Sequence, residues 1–203
     1  IRNQAVQSGT SMVDSAYYCG ELYDNNGNDL GYQCDNSGHG TEVSGIIAAT
    51  SNNGIGIAGV ASGNSNDIVD LIEINAFDTS CELSSSEPGC FYSNDVILAI
   101  NTAKSKGAKI INLSLGFNYA DANNPTSTET EANSLLHSAI ASAYNSGITC
   151  VAAAGNSNST VYTFPSDYDE CISTISTDQS NVRSSFSNYG SLKDISAPGG
   201  KYW

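Results

Sequence analysis

At 203 residues the chain can bury one sizeable core and is short for two. Twenty-one acidic side chains face seven basic ones, a formal net charge of −14 that phosphate backbones and anionic lipid repel, so neither nucleic acid nor a membrane surface is an expected partner. No apolar run approaches the ~20 residues that a membrane span requires.

The first stretch, 1–38, is rich in Asn, Gly, Asp and Tyr and reads mostly as loop. It contains QSGTSMVDS (7–15), in which Ser11 and Asp14 stand where a nucleophile or an acid could. The apolar approach to Asp14 is short, and no helix of small residues follows Ser11, so the stretch reads as a surface loop. VSGIIAAT (43–50) has the small and apolar residues of a tightly packed helix, and His39, flanked by glycines, stands at its start. SNNGIGIAG (51–59) then satisfies G-x-G-x-x-G at Gly54, Gly56 and Gly59. That fingerprint holds a pyrophosphate only between a strand and a helix start. Here it follows a helix and precedes Val-Ala-Ser-Gly, so nucleotide binding is not expected.

IVDLIEINAF (68–77) alternates as a strand, and NDVILAINTAKSKG (94–107) is a helix with an Asn/Asp N-cap and a terminal glycine. AKIINLSLGF (108–117) reads as a strand buried on both faces. TETEANSLLHSAIASAYNSG (128–147) is a helix with acids in its first turn; His137 on it reads as a packed or solvated histidine. ITCVAAAG (148–155), CISTIST (171–177) and KDISAP (193–198) complete the strands. Strands separated by helices pair in parallel through crossovers. The expected fold is therefore α/β, a three-layer sandwich with a central, mainly parallel sheet, and chemistry gathers at the carboxyl ends of such strands.

Six cysteines occur, at 19, 34, 81, 90, 150 and 171, with no CxxC pair and only two histidines in the chain, so a structural zinc site is not indicated. An even count in an acidic chain points to disulfides and an oxidising compartment. Pairing of sequence neighbours (19–34, 81–90, 150–171) is one arrangement among many; only the short 81–90 loop stands out, and free buried cysteines are the other reading.

Four segments lie where the sheet rule places chemistry: SGHGTEVSGIIAATSNNGIGIAGVAS (37–62), INLSLG (111–116), VAAAGNSN (151–158) and RSSFSNYGSLKDISAPGG (183–200). His39 puts an imidazole at a helix start among small neighbours. INLSLG ends in a backbone along which an extended peptide can lie. An Asn156 amide just past a buried strand can donate a hydrogen bond to a developing oxyanion.

In this order these segments closely resemble the subtilisin-like serine proteases, the subtilase family, over about residues 20–200. The resemblance implies a secreted, monomeric endopeptidase acting on polypeptide substrates by a Ser-His-Asp triad. It gives His39 the role of general base and Asn156 that of side-chain oxyanion donor. Ser114, Leu115 and Gly116 match the strand that pairs with substrate, and Ala153, Ala154 and Gly155 match one wall of the primary specificity pocket. Phe164-Pro165 matches a cis-proline turn. The loop SNNGIGIAG matches one that can wrap a structural Ca2+, with the Asn53 side chain and the carbonyls of Ser51, Ile55 and Ile57 as oxygen donors; a glycine-rich turn without metal is the alternative. No cofactor is implied for catalysis. Glu42 departs from the family pattern, standing where many relatives carry a second histidine.

The family's serine motif follows Ala-Pro-Gly, so the nucleophile is expected after Trp203. The aspartate is expected upstream of Ile1 rather than at Asp14. Residues 1–203 are accordingly read as a partial catalytic domain, incomplete at both ends and inactive alone. A catalytically inactive subtilase-like binding or surface module is the alternative.

Overall fold

Helix and strand signals alternate most regularly after residue 93, and there structure and expectation agree best. The computed structural model describes residues 4–6, 19–23, 29–34, 38–54, 56–62, 69–76, 78–84, 87–90, 92–119 and 123–200. Of these, 4–6, 19–23, 29–34, 78–84 and 87–90 are described as backbone only. The chain divides into two units, Ile1–Ala99 and Ile100–Trp203.

In the first unit, β1 (Gln4–Val6) pairs antiparallel with a later strand, and β2 (Cys19–Tyr23) and β3 (Asp29–Cys34) form an antiparallel hairpin with Cys19 opposite Cys34. The stretch 1–38 is thus not mostly loop within its described residues. These strands form two-stranded ladders from polar sequence, so no alternating apolar face betrays them. QSGTSMVDS lies outside the described residues.

Helix α1 (His39–Ala48) begins where the glycine-flanked histidine predicted. Gly38 supplies the N-cap at φ +73°, a left-handed conformation that residues with a Cβ rarely adopt. At the other end the chain turns back onto the helix. Gly59 N–H donates to Ala49 O (2.8 Å), Val60 N–H to Ile46 O (2.9 Å) and Ala61 N–H to Ile47 O (2.8 Å), satisfying carbonyls that a helix end leaves orphaned. A Cβ on Gly59 would sit 2.4 Å from Ala49 N, so this glycine of the G-x-G-x-x-G string serves a backbone–backbone approach. No described helix follows it before β4 (Leu71–Glu73), which pairs with β1. The strand expected over 68–77 shrinks to those three residues, all half-buried. β5 (Asp78–Ser84) and β6 (Glu87–Cys90) form a second hairpin that the Ser-, Pro- and Gly-rich sequence conceals.

Helix α2 (Ser93–Ser105) starts one residue before the expected Asn/Asp cap, and Asp95 Oδ2 instead accepts the Tyr92 N–H at 3.2 Å. Val96, Ile100 and Ala103 are its buried stripe.

The second unit is built on β7 (Ile110–Leu113), β8 (Thr149–Ala153), β9 (Cys171–Thr177) and β10 (Ile195–Pro198), all parallel, in the order β10-β9-β8-β7. Helix α3 (Ser127–Asn145) links β7 to β8, and the two later connections run through turns. Thr126 caps α3 in a reciprocal box: its Oγ1 accepts the Glu129 N–H at 3.2 Å and its own N–H donates to Glu129 Oε2 at 2.8 Å. Leu136, Ala139, Ile140 and Ala143 recur at helical spacing and are buried, with α3 packed on β8. Full burial of Leu136 and Ile140 contributes about 1.5–3 kcal/mol each. A central parallel sheet with helices is the expected three-layer α/β arrangement.

β7 corrects one expectation. Ile111 and Leu113 are buried while Ile110 and Asn112 are exposed, so the strand alternates instead of being buried on both faces. Among the described residues it ends the strand order of the sheet, and its apolar run spans residues that face both ways.

The neighbour pairing of cysteines is corrected at one position. Cys150 and Cys171 stand directly opposite in the β8–β9 register, yet both are buried free thiols joined by a side-chain hydrogen bond. That hydrogen bond and burial push the Cys171 thiol well above the ordinary cysteine range. The side chains of Cys19, Cys34, Cys81 and Cys90 lie outside the described ones. No helix of the described residues is long and apolar enough to cross a membrane.

Candidate active site

In the second unit the expected site residues gather at the carboxyl ends of two adjacent parallel strands. Leu113 pairs with Ala152, so Ser114–Gly116 leave β7 beside Ala153–Asn156 leaving β8. β8 alternates, with Cys150, Ala152 and Ala154 buried and Ala153 exposed. Ala154 is 2% exposed and its N–H donates to Thr174 O at 3.0 Å, so its methyl belongs to the core. Ser114 Oγ accepts from Asn112 Nδ2 at 2.9 Å; Ser114 and Leu115 are half-buried and Gly116 is open.

A second layer braces both segments. Phe117 N–H donates to Phe164 O (2.7 Å) and Phe164 N–H to Phe117 O (2.9 Å), tying 114–117 to the segment ahead of the cis Phe164-Pro165 bond. The rings of Phe117 and Phe164 stack at 5.6 Å, Tyr168 follows Phe164 at 6.5 Å, and His137 stacks on Tyr168 at 4.5 Å. Burial pushes the Tyr168 phenol well above its ordinary range, which keeps it a neutral hydrogen-bond donor, here to Asn133 O at 3.0 Å. His137 also meets Glu170 at 2.9 Å and is a packed surface histidine, as its helix position implied. Thr163 touches both walls: its Cγ2 would lie 3.1 Å from a Cβ on Gly116 and 3.7 Å from one on Gly155.

Asn156 is exposed, and its side-chain amide makes no hydrogen bond among the described residues, while the loop around it is tightly held. Asn188 N–H donates to Gly155 O at 2.9 Å, and Asn188 Oδ1 accepts from Ser157 N–H at 2.9 Å and Ser159 N–H at 3.3 Å. Gly155 has φ +101°, and a Cβ there would strike Asn188 Nδ2 at 2.5 Å. Sequence reasoning quoted Asn188 within RSSFSNYG without assigning it a task. An Asn among serines, 0% exposed, is the signal that only burial supplies.

Below this, Lys193 and Asp167 form an ion pair with side chains 4% and 2% exposed, and Asp167 Oδ2 also accepts Thr163 N–H at 2.9 Å. Sequence reasoning missed this pair as well, because an Asp after Pro-Ser and a Lys before a strand both read as surface residues.

His39 belongs to the first unit, where it is exposed at the first position of α1, one turn ahead of Glu42. The loop after α1 has left-handed residues at Asn52 (φ 58°), Gly54 (φ 74°) and Gly56 (φ 60°), a curl that suits wrapping a cation in peptide oxygens. Ser51 and Asn53 are half-buried and Ile57 is exposed, while Ile55 lies outside the described residues. The four named donors are neutral oxygens, chemically apt for calcium and poor for softer metals.

Residues 8–202 match the family described as the subtilase family. Thermitase of Thermoactinomyces vulgaris is 39% identical over 163 residues, covering 80% of this chain and 50% of thermitase. Subtilisin BL of Lederbergia lenta is 35% identical over 165 residues, covering 81% of this chain and 52% of that protein. The chain thus spans about half the length of these relatives. Among solved structures, the epidermin leader peptide processing serine protease of Staphylococcus aureus aligns with a TM-score of 0.67 at 28% identity, over 86% of this chain and 42% of that one. The psychrophilic subtilisin-like protease Apa1 of Pseudoalteromonas sp. AS-11 aligns with a TM-score of 0.56 at 33% identity, over 79% of this chain and 32% of that one. Matched over residues 8–202, this chain belongs to the subtilase family.

Proposed function

We propose that the complete protein is a secreted serine endopeptidase, and that residues 1–203 supply its general base, its oxyanion donor and part of its substrate cleft. The reading rests above all on the second unit, where an open backbone segment (Ser114–Gly116) and an exposed asparagine (Asn156) leave neighbouring parallel strands side by side. An extended polypeptide lies along the first, and the Asn156 amide donates to the oxygen of the scissile carbonyl as it gains charge. Ala153 and Gly155, with the backbone of Ala154 between them, form a wall of small residues beside the side chain that precedes the cleaved bond, while the Ala154 methyl stays in the core. His39 removes the proton from the attacking serine and returns it to the leaving amine. Ser11 stands in Gly-Thr-Ser-Met, the start of the family's nucleophile motif, but Val13 and Asp14 follow in place of the motif's Ala and its later Pro-His, so the serine and the orienting aspartate are assigned to other segments of the protein, and Ser11 and Asp14 are given no role.

A structural Ca2+ is assigned to the loop after α1, held by the Asn53 side chain and the carbonyls of Ser51, Ile55 and Ile57. It would hold the loop in place and takes no part in the chemistry. Disulfides are assigned to 19–34 and 81–90, the former supported by the register that sets Cys19 opposite Cys34.

The test is turnover of a peptide substrate by the full-length protein. His39→Ala should abolish it, and Asn156→Ala should lower kcat about 10²–10³-fold with little change in KM. Full activity in His39→Ala would overturn the reading, and a folded wild-type protein that neither cleaves peptides nor reacts with an organophosphate would favour an inactive binding module.

A further inference from the structure

We propose that Asn188 is a positioning residue for the oxyanion site, fixing the loop that presents Asn156; this rests on the peptidase reading above. Its side chain is entirely buried. Every polar atom of that side chain is spent on the site. Oδ1 receives Ser157 N–H at 2.9 Å and Ser159 N–H at 3.3 Å, the residues one and three after Asn156. Nδ2 donates to Thr163 Oγ1 at 3.3 Å, the same threonine whose methyl lies against Gly116 and Gly155. The backbone N–H of Asn188 holds Gly155 O at 2.9 Å, the residue before Asn156.

Asn156 is therefore clamped on both sides by one residue, which also ties its loop to the wall beyond. The backbone around it has little freedom of its own to spare. Gly155 is at φ +101° and Asn158 at φ 49°, and both are held by contacts from the 186–189 segment: Asn158 N–H donates to Phe186 O at 2.8 Å and Tyr189 N–H to Ser159 O at 3.1 Å. An oxyanion donor is effective only when its N–H already points to where charge will develop, since reorienting it during the reaction forfeits the gain. The Asn156 side chain has no hydrogen bond of its own among the described residues, so its aim is inherited from the loop.

The experiment is a double-mutant cycle in the full-length protein. Asn188→Ala should lower kcat roughly 10–100-fold, as a displacement on the order of 1 Å does, with KM within about threefold. On the Asn156→Ala background the same substitution should cost less than about threefold, because there is no longer an amide to aim. Asn188→Asp keeps oxygen acceptors for Ser157 and Ser159 and should restore most of the lost kcat. Amide hydrogen exchange gives a readout without activity: Ser157 and Ser159 should lose protection in Asn188→Ala and keep it in Asn188→Asp, with β8 protected in both. If Asn188→Ala does not accumulate folded, Asn188→Asp carries the test, and a kcat as low as that of Asn156→Ala with protection intact refutes the assignment. Equal losses from Asn188→Ala with and without Asn156 overturn this inference alone. A full-length enzyme indifferent to Asn156→Ala overturns the oxyanion reading and this inference with it.

Discussion

The buried Lys193–Asp167 pair makes a demanding prediction, because two opposing terms have to be weighed. With side chains 4% and 2% exposed, both ions have lost nearly all of their hydration, and the desolvation cost is of the same order as their attraction. The pair as a whole is thus close to break-even against an uncharged substitute, whereas removing one partner strands the other. Lys193→Met keeps the aliphatic stem and removes the ammonium. The Asp167 carboxylate is left with the Thr163 N–H at 2.9 Å and the Ser166 hydroxyl at 3.3 Å, too few donors for a buried charge. The expected loss is about 3–5 kcal/mol. At about 2–4 °C per kcal/mol for a protein of this size, Tm should fall by roughly 6–20 °C. Lys193→Met/Asp167→Asn, which retains an acceptor for Thr163 N–H without the charge, should recover to within about 2 kcal/mol of wild type. Denaturant and thermal unfolding of the three proteins decide the matter. A single-mutant loss below about 1 kcal/mol, or a double mutant no better than the single, refutes the argument that the uncompensated charge is what costs.

Three further outcomes are expected. Gly59→Ala puts a methyl 2.4 Å from Ala49 N and sets it against the three hydrogen bonds closing α1, so it should cost at least about 2 kcal/mol; an unchanged Tm would show that the return of the chain onto the helix is not close-packed. Chelation of Ca2+ should lower Tm by several degrees, since ligand at about 100 times Kd contributes about 2.7 kcal/mol, and Asn53→Ala should abolish that difference; identical melting with and without Ca2+ removes the metal from the loop. Of the six cysteines in residues 1–203, thiol titration after denaturation should find only Cys150 and Cys171 free, with both slow to alkylate in the native protein because they are buried and the Cys171 thiol is held in its protonated form; six reactive thiols from these residues would remove the assigned disulfides.

Legibility followed the reach of each interaction. The α3 helix was readable from its own residues, because the Thr126–Glu129 box, the Leu136–Ala139–Ile140–Ala143 stripe and the Gly147 stop are all local. So were β8, β9 and β10, whose apolar or β-branched runs are bounded by turn formers. The β1, β2, β3, β5 and β6 ladders escaped because polar two-stranded pairs carry no burial pattern. The start of α2 was misplaced by one residue, since an aspartate can cap from inside the helix by reaching back to Tyr92. β7 was overread because a continuous apolar run does not say which faces are covered.

The site divides in the same way. That His39 opens a helix, and that Ser114–Gly116 and Ala153–Asn156 leave adjacent strands, was legible because short motifs set the backbone there. What holds them was not, because it comes from far along the chain. Gly155 looked like one more turn glycine; its structural reason is Asn188, whose Nδ2 occupies the space where a Cβ would project. Asn188 in turn looked like a loop residue until its burial and its hydrogen bonds to Ser157 and Ser159 were seen together. The two positions therefore constrain each other. Gly155→Ala would push Asn188 off the loop, and Asn188→Ala would open room for a methyl at Gly155 while releasing the loop. The space gained leaves the left-handed φ of Gly155 unrelieved, so Asn188→Ala should rescue the steric part of Gly155→Ala but not its backbone strain, which is about 1–2 kcal/mol for a residue bearing a Cβ.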